Sequence, residues 1–150
     1  MDFKKILIAV DVSENSARAV NYVGEIIGNI KGFQVELLAI DRPPQKDLFP
    51  NEETWLAQRR KQEEQIREFL KNSRGILESK GVPSENISEI YMVSEGLSIA
   101  HAILKVQQDG GNGTIVVGRR GVSKDQEFLF GSVSNKIVHY AKECSVWVVE

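Results

Sequence analysis

Five short apolar runs, each set off from the next by a stretch of helical period, constrain this chain more than any other feature. The first, Ile6-Leu7-Ile8-Ala9-Val10, is unbroken and rich in branched side chains. A strand with one face in water alternates apolar with polar residues, so a continuous run reads as a strand buried on both faces. It stops at Asp11-Val12-Ser13, and Ala17, Val20, Val23, Ile27 and Ile30 then recur at three- and four-residue spacing, the stripe of a helix that Lys31-Gly32 should close. Either Asp11 or Ser13 is placed to cap that helix. Gln34 to Asp41 is a second strand around Val35, Leu37, Leu38 and Ile40, and Asp41 to Pro50, with three of the four prolines, reads as an irregular loop.

The alternation continues to the end. A charged helix is predicted from about Asn51 to Lys80, with Ile66, Phe69, Leu70, Ser73, Ile76 and Leu77 inward and Arg59 to Glu64 on a solvated face. Lys80-Gly81-Val82-Pro83 should stop it. Ile87 to Val93 is a third strand, and Leu97 to about Gln108 a helix with Ile99, Ala100, Ile103 and Leu104 inward. Asp109 to Gly113 reads as a loop into strand four, Thr114 to Val117. A glycine-bearing segment follows, then a helix from about Ser132 to Lys142 and a last strand, Val146 to Val149. The order β-α-β-α-β-α-β-α-β implies an α/β fold: a five-stranded, doubly wound parallel sheet in three layers, α/β/α. No internal repeat or linker interrupts it, so residues 1–150 form one domain.

Composition narrows the function classes. The chain has 150 residues with 19 basic against 21 acidic side chains, a net charge of -2. A protein that tracks nucleic-acid phosphates usually carries a basic excess, so no nucleic-acid partner is expected. The apolar runs fall far short of the roughly 20 residues that span a bilayer. Lys4 and Lys5 imitate a signal-peptide start, but Asp11 ends the run behind them. The single cysteine, Cys144, excludes an internal disulfide and a cysteine-built zinc site. These observations lead us to expect a cytoplasmic protein.

In a sheet of this kind, ligands bind beyond the carboxyl ends of the strands, near the switch in strand order. Three segments fall there: Asp11 to Ser13, Ile40-Asp41, and Gly118 onward. The last is the most informative. Gly118 and Gly121 allow positive φ and close backbone approach to a ligand. Gly131-Ser132 opens a helix whose free amides and positive dipole end can hold phosphate, with hydroxyls at Ser132 and Ser134.

The spacing glycine, two residues, glycine, nine residues, glycine-serine resembles the nucleotide signature of the universal stress protein family. Lys4 to Glu14 looks like that family's opening strand and its aspartate, Gly131 to Lys136 its helix start, and Ser145 to Val149 its closing strand. The resemblance implies a Rossmann-like, adenine nucleotide α-hydrolase-like fold that binds ATP or AMP. It sets Asp11 near adenine and ribose, with Val10 and Ile40 flanking the base. It assigns Gly118, Arg120 and Gly121 to the ribose-phosphate loop, and Gly131, Ser132, Val133 and Ser134 to the phosphate cradle. It also implies a homodimer through Val146, Trp147, Val148 and Val149, an apolar edge that would otherwise invite aggregation. The chain departs from the family pattern at Val12, often glycine, which would crowd a triphosphate, and at Ser145, often proline.

Other motifs carry less. Lys124 either reaches a γ-phosphate or is exposed. Of Arg119 and Arg120, one should face solvent, and family position favours Arg120 for phosphate. His101 and His139 lack metal-ligand neighbours, and Cys144 reads as a small hydrophobe. Trp55 is either a hydrophobic staple or a partner anchor. No Gly-Lys-Ser or Gly-Lys-Thr follows the glycines, and neither a Gly-x-Ser-x-Gly elbow nor a His-Glu-x-x-His appears. Slow hydrolysis is the most this pattern supports, and Asp11 suits Mg or ribose contact better than base work. The expected function is a nucleotide-sensing regulatory or protective module in stress response. The alternative is an interaction module of the same fold that binds no nucleotide, with the charged helix and Trp55 carrying a protein partner.

Overall fold

A computed structural model of the chain describes residues 2–119 and 132–150. The elements follow in the expected order: β1 (Asp2–Val10), α1 (Glu14–Ile27), β2 (Gln34–Asp41), α2 (Glu52–Ser79), β3 (Ile87–Val93), α3 (Ile99–Gly110), β4 (Asn112–Gly118), α4 (Ser132–Tyr140) and β5 (Ser145–Val149). The strands form one parallel sheet in the order β3-β2-β1-β4-β5. Parallel neighbours need crossovers, and the helices supply them on both faces.

Side-chain alternation divides the core in two. Ile6, Ile8 and Val10 of β1, Leu37 of β2 and Val116 of β4 pack with Val20, Val23 and Ile27 of α1 and Leu70 and Leu77 of α2. Leu7, Leu38, Ile115 and Val117 face the other way, onto Ala100, Ile103 and Leu104 of α3 and Ile137 of α4. The runs Ile6 to Val10 and Ile115 to Val117 are therefore unbroken because both faces are covered there, as predicted.

Three local readings need correction and a fourth completion. Helix α1 ends at Ile27, and Ile30, expected on its inner face, is 54% exposed. Gly28 caps it while still helical in conformation, and a Cβ there would lie 1.9 Å from the Lys80 carbonyl oxygen, so the glycine lets the end of α2 pack against the end of α1. The expected loop Asp109 to Gly113 is nearly absent, since α3 runs to Gly110, Gly111 caps it at φ 68° and β4 starts at Asn112. Helix α4 stops at Tyr140, two residues before Lys142. Trp55, read as a staple or a partner anchor, also makes polar contacts: its indole N–H donates to the Pro44 carbonyl at 2.8 Å, with Lys46 and Arg59 over the ring at 5.1 and 5.2 Å. It pins the proline-rich loop to α2.

Candidate functional site

The strand order reverses beside β1. The chain leaves β1 for β2 on one side and returns through α3 to β4 on the other, so a crevice opens between their carboxyl ends. Its floor is apolar, built from Leu38 and Ile40 of β2, Val117 of β4, and Ile99 and Ile103 of α3. Ala9, Val10 and Asp11 form one wall, Gly118, Val133 and Ser134 another, and Ser13, Asn15 and Ser16 close the α1 side. The cleft is open to solvent, with about 610 Å³ of space between its walls and mouth.

Local hydrogen bonds set the polar rim. Ser13, not Asp11, caps α1, accepting from the Ser16 amide at 3.3 Å. The Ser16 hydroxyl accepts from the Asp11 amide at 2.8 Å and donates to Asp11 Oδ1 at 3.0 Å. One carboxylate oxygen is thus held in place, and Oδ2 has no protein partner among the described residues. Gly118 is needed for a reason other than the one expected. It does not have positive φ. A Cβ there would lie 2.7 Å from the Asn15 carbonyl oxygen, so the glycine seats the first turn of α1 against the end of β4.

The predicted residues separate into groups. Val10, Asp11, Ile40, Gly118, Val133 and Ser134 line one cleft. Ser132 is exposed and lines an adjoining cavity instead, which shares Ile99 and Val133 with the cleft. Arg120, Gly121, Lys124 and Gly131 lie outside the described residues. Val12 lines a neighbouring groove with Ile66 and Phe69 of α2, which shares Val10, Asp11 and Ile40 with the cleft. Arg119 faces neither solvent nor the cleft: its amide donates to the Val149 carbonyl at 2.8 Å and its guanidinium meets Glu150 at 3.0 Å, which extends the β4–β5 pairing. His101 and His139 are exposed, and burial raises the Cys144 thiol above its ordinary range. No three His, Cys, Asp or Glu side chains gather as a metal site among the described residues, and no described helix is long and apolar enough to cross a membrane.

Two sets of residues have roles that the glycine motif does not carry. Ser13, Asn15 and Ser16 furnish part of the rim, and their signal was the run of short polar residues directly after the first strand. The second is a buried carboxylate at the end of β2. Asp41 is 2% exposed and accepts from the Tyr91 hydroxyl at 2.5 Å and from the Gln62 amide, which also reaches the Arg42 carbonyl at 2.9 Å. Burial, and then the Asp41 hydrogen bond and charge, push the Tyr91 phenol well above its usual range, so it remains a donor. Arg67 stacks over the Tyr91 ring at 4.3 Å. Gln62 thereby ties α2 to the sheet, although it falls in the stretch read as solvated.

Comparison with known proteins agrees with this architecture. The model of the universal stress protein family matches residues 2–150. The chain belongs to that family. It is 29% identical to universal stress protein YxiE of Bacillus subtilis, over 98% of this chain and 99% of that one. Among solved structures, the hypothetical protein MJ0577 is 26% identical and superposes with a TM-score of 0.75 over 98% of this chain and 95% of its own. A universal stress protein from Archaeoglobus fulgidus, solved in complex with dAMP, is 18% identical with a TM-score of 0.66 over the full length of both chains. Like these relatives, this universal stress protein has the Rossmann-like α/β fold.

Proposed function

We propose that the chain binds an adenine nucleotide in the cleft between β1 and β4 and acts as a nucleotide-sensing module in the cytoplasmic stress response. What carries the reading is the meeting, at the switch in strand order, of an apolar floor, a fixed carboxylate and the first turn of a helix. Val10 of the wall and Ile40 of the floor suit a planar base. Asp11 suits a ribose hydroxyl or an exocyclic amine, or a Mg ion that arrives with the phosphates. The opening of α4 at Ser132, Val133 and Ser134 suits phosphate, because first-turn amides and the helix dipole favour an anion. Arg120, Gly121 and Gly131 belong to the same proposal through the glycine spacing alone. The Archaeoglobus fulgidus relative, solved with dAMP, guides the choice of ligand to test. The reading includes a homodimer through β5.

The test is to denature the purified full chain and identify released nucleotide by chromatography and mass. Near-stoichiometric adenine nucleotide is the expected result. A chain that releases none and also fails to bind added Mg-ATP or AMP would overturn the proposal and favour an interaction module.

A further inference from the structure

We propose that Arg42 and Lys136 make the site selective for nucleoside di- and triphosphates over monophosphates; this rests on the nucleotide reading above. The cavity adjoining the cleft is lined by Arg42, just beyond β2, by Ser98, Ile99 and Ala100 at the start of α3, and by Ser132, Val133 and Lys136 of α4. Two basic side chains from distant parts of the chain therefore line one space, and no carboxylate lines it among the described residues. Neither has an ion pair among the described residues, whereas Lys46, Arg67, Arg74, Lys105 and Arg119 do. Ile99 and Val133 line both the cavity and the cleft, so the two spaces adjoin.

The openings of α3 and α4 add to this charge. Helix geometry leaves the first amides of each without intrahelical partners, and both dipoles present their positive ends at the cavity. Ser98 satisfies only the His101 amide, at 3.2 Å. A base and ribose seated in the cleft place the distal phosphates of a longer tail in this second space, whereas a monophosphate ends before reaching it. The guanidinium of Arg42 offers a planar, bidentate donor for such oxygens, and Lys136 a point charge.

Titration calorimetry of the full chain with Mg-ATP, Mg-ADP and AMP tests the assignment. Arg42→Ala is expected to weaken ATP about ten-fold or more while AMP changes less than about two-fold. Lys136→Ala should shift the ratio in the same direction, and Arg42→Lys should restore part of it. Both residues are exposed, so unchanged melting temperatures are expected and serve as the folding control. ATP and AMP weakening together, or neither weakening, would overturn the proposal. Should the unmodified chain bind none of the three, the nucleotide reading fails and this inference with it, a result seen before any variant is made.

Discussion

Tyr91 and Asp41 show what a single buried pair can do at the edge of the site. The Asp41 carboxylate is almost fully enclosed and is satisfied by a phenol and an amide from two other elements. A phenol whose proton is held more tightly in the folded state binds that proton where the unfolded chain has lost it. Its contribution is therefore complete below the ordinary tyrosine value of about 10 and is lost as pH rises through the higher folded value. Tyr91→Phe should flatten the alkaline limb of the stability curve, measured by urea unfolding between neutral and strongly alkaline pH, and should lower stability at neutral pH by leaving Asp41 short of a donor. An unchanged alkaline limb would remove Tyr91 from this account. Asp41 was legible in the sequence only as the end of a strand, because its partners stand 21 and 50 residues away.

At the scale of elements, the contact of α1 with β4 depends on one missing side chain. Gly118→Ala would force a methyl into the Asn15 backbone. Overpacking of this kind costs about 1–3 kcal/mol, and in a chain of this size each kcal/mol lowers the melting temperature by roughly 2–4 °C. Thermal unfolding should show a loss of several degrees; a variant as stable as the parent would mean that α1 shifts freely. Most of the element pattern was legible beforehand, because burial on one or both faces leaves a period in the sequence. The inner faces of α2 and α3 came out as expected. The end of α1 did not: the backbone that packs against it at Gly28 is that of Lys80, some 50 residues further along.

At the scale of the molecule, the open edge of β5 is the feature a second copy would use. Register pairs Gly118 with Val149, and the Val149 carbonyl accepts from the Arg119 amide. In a parallel ladder alternate residues turn both backbone groups to the same neighbour, so Ser145, Trp147 and Val149 face β4, while Val146 and Val148 face the free edge. The Trp147 side chain is engaged within the chain, edge-on to Tyr22 at 6.1 Å. A proline at Val148 removes an outward N–H without touching the β4 pairing. We expect the unmodified protein to sediment as a dimer and Val148→Pro as a monomer; a variant that stays dimeric would place the interface elsewhere.

The sequence by itself determined the class of fold, the order of its elements and the family, because solvent exclusion and glycine spacing are written locally. It also placed Val10, Asp11, Ile40 and Gly118 at the carboxyl ends of their strands, where a parallel sheet opens its crevice. Only the tertiary structure decided what those residues meet. It showed that Ser13 caps α1 while Asp11 is held by Ser16, that Val12 lines a groove beside the cleft with Ile66 and Phe69, and that Arg42 and Lys136 share a cavity. Each of these follows from packing between elements or from competition among neighbours for the same hydrogen bond, and no local period records either.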